Sequence, residues 1–156
     1  MNKYWNLKIR SAGATNNVSF LVSELSRKGD AMLEELLERK DYENQTYNLV
    51  SGYAYVIFYG GKIMAMNRTP NISRRKHKYY GTYVDANDEI AKEIGRLRGL
   101  VDEDKVTFII FSAMFYSKFV EDPNRYSRRF AVFKTILSDE VNSLAIKYKG
   151  KVSSYG

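Results

Sequence analysis

Few residues of this chain could carry chemistry, and they are scattered. His77 is the one candidate imidazole base, set among Arg74, Arg75, Lys76 and Lys78. Like charge around it disfavours its protonation. No serine-to-base arrangement accompanies it, and a surface histidine in a basic loop is the simpler reading. Glu34 and Glu38 stand i, i+4 on one helical face with Glu35 between them. A metal held there would have oxygen ligands only, and the same residues fall where a solvent face is expected, opposite Leu33 and Leu37. Asp102-Glu103-Asp104 could bind a cation but reads more simply as a charged turn before a strand. Gly60-Gly61-Lys62 lacks the spaced glycines and the following Ser or Thr of a phosphate loop.

Composition narrows the field further. The 156 residues include no Cys and one His, which excludes disulfides, thiolate metal sites, Cys nucleophiles and any centre needing two imidazoles. This is unfavourable to most familiar enzyme chemistries, and no metal site is expected. An enzyme built on Asp or Glu with Tyr has no positive support. Met1 to Arg10 shows no apolar signal region and no run approaches a membrane span, so a soluble, non-secreted domain without membrane contact is expected. Without a signal peptide, the Asn-x-Ser/Thr triplets at Asn17, Asn44, Asn67 and Asn71 reflect composition alone.

The formal charge of +7 is unevenly placed. Residues 51–84 carry six basic side chains, Arg68 among them, and no acid; residues 85–104 are net −4 and residues 105–156 net +5. Such segregation suits pairing within the chain or between copies, or a nucleic-acid surface, as well as a solvated loop beside an acidic helix start. Tyr79, Tyr80 and Tyr83 interleave with the basic cluster, a composition that can stack bases. Tyrosine is equally an interface residue, and no RNA-binding signature is present.

These residues need elements to hold them. Asn16-Asn17 can cap a helix whose stripe Val18, Leu21, Leu25, Met32 and Leu36 runs to about Lys40. Gly29 interrupts it, marking a close contact or a break. Tyr53–Tyr59, Gly60-Gly61 and Lys62–Met66 read as a β-hairpin. Asp85 is expected to cap a short helix carrying Ile90, Ile94 and Leu97 and closed by Gly99. Val106–Phe111 reads as a buried strand, and a second long amphipathic helix runs from about Tyr126 past Leu144 to Gly150. The fold class is α+β: a small, mainly antiparallel sheet with a central hairpin, packed by two long helices and one short helix, with helices on one face. Residues 1–17 form an arm or edge segment, 18–150 a single domain with a basic loop at about 67–84, and 151–156 a mobile tail.

The order long helix, polar turn, aromatic hairpin resembles the tail-completion or head–tail joining proteins of tailed bacteriophages. The turn element of that family is matched by Thr46-Tyr47-Asn48-Leu49-Val50-Ser51, followed by Gly52-Tyr53-Ala54. A later element is matched by Ala113-Met114-Phe115-Tyr116-Ser117 with Glu121, ahead of a turn and a C-terminal helix. The turn glycine is displaced, with Asn48 nearby, and Ser117 replaces an expected Ala. The resemblance implies a structural virion protein, with no enzyme activity and no cofactor: a homo-oligomeric ring in the neck that joins head to tail around the DNA channel. It implies contacts with adjacent neck, portal or tail proteins, non-specific contact with DNA, and a place in the virion after assembly in the host cytoplasm. On this reading Arg68, Arg74, Arg75, Lys76 and Lys78 line the channel or touch the next ring, and Asp85, Asp88, Glu89, Glu93, Arg125, Arg128 and Arg129 form the subunit interface. The alternative is a small basic nucleic-acid-binding or phage regulatory protein, with the 67–84 cluster, Arg125, Arg128 and Arg129 as its footprint.

Overall fold

A computed structural model describes residues 4–10, 17–38, 52–70, 86–113 and 132–155. In chain order the elements are β1 (Tyr4–Arg10), α1 (Val18–Glu38), β2 (Tyr53–Tyr59), β3 (Lys62–Arg68), α2 (Ala86–Leu97), a 3-10 turn (Arg98–Leu100), β4 (Lys105–Ser112), α3 (Val132–Tyr148) and β5 (Lys151–Tyr155). The five strands form one sheet in the order β3-β2-β4-β1-β5, every neighbouring pair antiparallel. This is the expected α+β class.

The two inner strands β2 and β4 are nearly continuous apolar runs, YAYVIFY and KVTFIIFS. A run without alternation suits a strand covered on both faces, and that is what the packing shows. On one face Leu21, Leu25 and Leu36 of α1 and Leu137 and Val141 of α3 meet Leu7, Tyr53, Ile57 and Phe108. On the other, Ile90, Ile94 and Leu97 of α2 meet Val56, Phe58, Ile109 and Phe111. Full burial of each such side chain contributes about 1.5–3 kcal/mol. The expectation of helices on one face is thus corrected: the apolar stripe of α2 has to be covered, and the second face of the sheet covers it.

Both ends of the chain depart from expectation too. Residues 4–10 are not an edge segment, because β1 lies between β4 and β5, with Leu7 paired to Phe108 on one side and Val152 on the other. Residues 151–155 are not a mobile tail but strand β5. Its entry is a helix C-cap. The Gly150 N–H bonds the Ala145 carbonyl at 2.8 Å, and Lys149 takes the left-handed φ of 55° that such a cap needs. Gly150 then passes so close to β1 that a Cβ would stand 2.8 Å from the Lys8 carbonyl oxygen.

The local signals for the other elements are met. The Asn17 side-chain oxygen accepts the Phe20 N–H at 2.8 Å, the bond of an N-cap. Gly60 and Gly61 both have positive φ, 59° and 76°, as a tight hairpin turn demands. Asp85 and residues 126–131 lie outside the described residues, so α2 and α3 are seen from Ala86 and Val132. Gly99 sits within the 3-10 turn that ends α2.

Gly29 marks a close contact, not a break. A Cβ there would meet the Tyr55 ring at 2.6 Å, so the missing side chain is what lets α1 settle on β2. Gly29→Ala is expected to cost about 1–3 kcal/mol through overpacking. Gly95, on α2, has nothing within 4 Å of its missing Cβ, and Gly95→Ala is expected to add up to about 1 kcal/mol from helix propensity alone. Urea denaturation of the two variants checks both signs.

Candidate interaction surface

The antiparallel registers place the Gly60-Gly61 turn, the Asp102–Asp104 turn and the Lys149-Gly150 turn at one end of the sheet. Cations gather there. Along β1, Lys8 and Arg10 point to the α2 side, opposite Leu7 and Ile9, because side chains alternate along a strand. Pairing adds their neighbours: Arg10 lies opposite Lys105 of β4, and Lys8 opposite Lys151 of β5. Two like-charge cross-strand pairs therefore stand side by side on three adjacent strands, an arrangement that opposes pairing.

Two carboxylates offset part of that repulsion. Asp102 accepts a hydrogen bond from Lys8 Nζ at 3.1 Å and lies 3.5 Å from Lys105 Nζ. Asp104 is 3.9 Å from the Arg10 guanidinium. The Lys8 hydrogen bond first, and then its charge, holds the Asp102 carboxyl below its ordinary value. Among the described residues Lys151 has no acidic partner. Arg98 extends the cationic end toward β3: it donates to the Gly61 carbonyl at 3.2 Å and lies 5.7 Å from the Phe58 ring centre. Within the patch, the Thr107 hydroxyl, on the residue facing Lys8, is buried without a hydrogen-bond partner among the described residues.

Where they are described, the residues expected to form the site make contacts within the chain or stand exposed. Arg68 ties the end of β3 to the start of α2: its Nε donates to the Thr69 carbonyl at 3.2 Å and its Nη1 to Asn87. Asp88 is exposed and Glu89 pairs with Lys92 at 3.2 Å. Glu93 departs from the interface expectation. Its side chain is 1% exposed and pairs with Arg96 at 2.9 Å, because the packing of Ile90, Ile94 and Leu97 turns Glu93 inward as well. Arg74, Arg75, Lys76, Lys78, Asp85, Arg125, Arg128 and Arg129 lie outside the described residues, as does His77.

The remaining motifs resolve as structure. Asp102 pairs with Lys8 and Lys105 and Asp104 with Arg10, and Gly60-Gly61 is a hairpin turn. Among the described residues no three His, Cys, Asp or Glu side chains group as metal ligands. On the same helix as Glu34, Asp30 accepts the Tyr55 hydroxyl at 2.7 Å and the Asn67 amide at 2.9 Å. Burial, and then the Asp30 carboxylate, pushes the Tyr55 phenol well above its ordinary value, so it stays protonated and donates. Among the described residues no helix is long and apolar enough to cross a membrane.

No family model matches the chain, and no curated protein or solved structure is significantly similar to it. The cations Lys8, Arg10, Lys105 and Lys151 escape a linear reading because pairing alone brings them together. The available signal was the Lys-x-Arg spacing at 8 and 10, the period of one strand face.

A depressed carboxyl stabilises the fold above its unfolded-state value, near 4 for Asp, and loses that contribution as pH falls through its lower folded value. Asp102→Asn is expected to lower Tm at pH 7, and the gap to the parent protein should close as pH falls from 4 toward 2. Thermal melts across that range check the sign; a gap that widened in acid would contradict the Lys8–Asp102 assignment.

Proposed function

We propose that this chain is a non-enzymatic structural subunit of a tailed-phage neck, forming a homo-oligomeric ring where tail completion joins head to tail around the DNA. One observation carries the reading. Gly52 and Ala113, one from each of the two stretches on which the resemblance rests, are about sixty residues apart in sequence and meet: the Ala113 N–H donates to the Gly52 carbonyl at 2.8 Å. Gly52 leads into β2 and Ala113 leaves β4, two adjacent strands. One described residue from each stretch thus lies beside the other where β2 begins and β4 ends. The order α1, hairpin, β4, α3 in a single sheet is also the order that the resemblance implies.

Ring formation asks for two different patches on each subunit, since a head-to-tail contact repeats around an axis. Two unlike sheet edges, β3 with exposed Met64 and Met66 and β5 with exposed Lys151 and Ser153, support that geometry. The reading includes no cofactor. A small nucleic-acid-binding protein is the second reading, favoured by the cationic end of the sheet.

Mass spectrometry of purified particles, with negative-stain imaging of the purified protein, tests the proposal. The expected result is this chain in the particles and closed rings of uniform size. Absence from the particles together with a monomer at high concentration overturns it.

A further inference from the structure

We propose that the cluster of Lys8, Arg10, Lys105 and Lys151 binds the phosphate backbone of a nucleic acid. This surface differs from the 67–84 segment to which sequence alone points, and it does not depend on ring formation.

The first argument is the charge itself. Arg10 faces Lys105 and Lys8 faces Lys151 across neighbouring strands. Like charges placed directly opposite oppose the very pairing that holds β1 in the sheet. Local conflicts of this kind are expected at functional or strained sites. Asp102 and Asp104 hold Lys8, Lys105 and Arg10 in place without neutralising the group, and Lys151 has no carboxylate among the described residues.

The second argument is shape and spacing. Strands lie about 4.8 Å apart, so the cluster on β4, β1 and β5 spans about 10 Å. That length of duplex axis carries about three phosphates of each strand, at one per about 3.4 Å of axis. A row of cations of this width can reach more than one phosphate of a strand. Arg10 and Lys151 are exposed and Lys8 and Lys105 half-buried, so two heads reach outward over two that are fixed.

The third argument separates nucleic acid from an acidic protein partner. Protein contacts draw their energy from buried aromatic and apolar anchors, whereas backbone contacts to nucleic acid need only cations and hydrogen-bond donors. Among the described residues the exposed large apolar side chains are Phe20, Met64, Met66 and Ile146, and none belongs to the cluster. Its exposed neighbour on β5 is Ser153, a hydroxyl donor on the same face as Lys151.

The test is fluorescence anisotropy of the full chain with a labelled duplex of about 20 base pairs, titrated with salt from about 50 to 200 mM. Arg10→Gln/Lys151→Gln should bind at least about tenfold more weakly at the low-salt end, with a log–log salt slope shallower by about two. Its Tm should equal or exceed that of the parent, because the substitutions relieve repulsion; a merely structural pair would lower it. Arg27→Gln/Lys92→Gln, which removes exposed cations on the helices, should stay within about twofold of the parent, since exposed ion pairs contribute little. Parent-like affinity in Arg10→Gln/Lys151→Gln overturns the proposal, as does equal loss in both variants. Binding of polyglutamate as tight as binding of the duplex also overturns it and assigns the surface to an acidic protein.

Discussion

Everything in this fold hangs on β4 being hydrogen-bonded along both of its edges. Its side chains from Val106 to Ser112 are buried, on both faces. A backbone so placed has no water to satisfy its N–H and C=O groups, so each must find a strand partner. β2 supplies one set and β1 the other. The helices then follow from what remains uncovered. α1 and α3 close the face bearing Tyr55, Phe108 and Ile110, and α2 closes the face bearing Val56, Phe58 and Phe111. Gly29 sets how near α1 comes, Tyr55 fills the space this leaves, and the ring stacks on Phe108 at 5.6 Å.

Much of this architecture was legible in the residues. The Gly60-Gly61 pair between two apolar runs named the hairpin, because few other residues tolerate both left-handed positions. The Asn17 cap and the stripe from Leu21 to Leu36 named α1. What the sequence hid has physical causes. β5 contains two apolar residues in five, Val152 and Tyr155, three apart, so no period of two marks it; it is a strand because β1 offers an open edge and the Lys149-Gly150 cap aims the chain at it. β1 carries Trp5, Leu7 and Ile9 at period two, but three positions give no hint of a partner on each side. The second helical layer was hidden because α2 is short, although the unbroken apolar character of β2 and β4 already required it.

The candidate surface was less legible than the fold, and for a specific reason. The basic run at 74–78 is contiguous and draws the eye, while Lys8, Arg10, Lys105 and Lys151 come from three distant parts of the chain. Charge arithmetic along the sequence credits them to separate segments, and strand pairing sums them. The reverse holds for Glu93. It lies in the net-acidic segment, yet the turn of α2 that buries Ile94 buries Glu93 with it.

The position of β5 also governs when the fold can be completed. Tyr4 pairs with Tyr155, and Leu7 with Val152, so β5 closes on a strand made about 145 residues before it. Contacts of such sequence separation slow folding, because loop closure must precede any gain from them. During synthesis the outer edge of β1 stays open until residues 151–155 clear the ribosome. Over that interval the facing lysine, Lys151, is absent and the Lys8–Lys151 repulsion with it. The nascent sheet thus waits with an open edge that carries two cations, Lys8 and Arg10, and charge of this kind guards an unpaired strand against pairing with another chain.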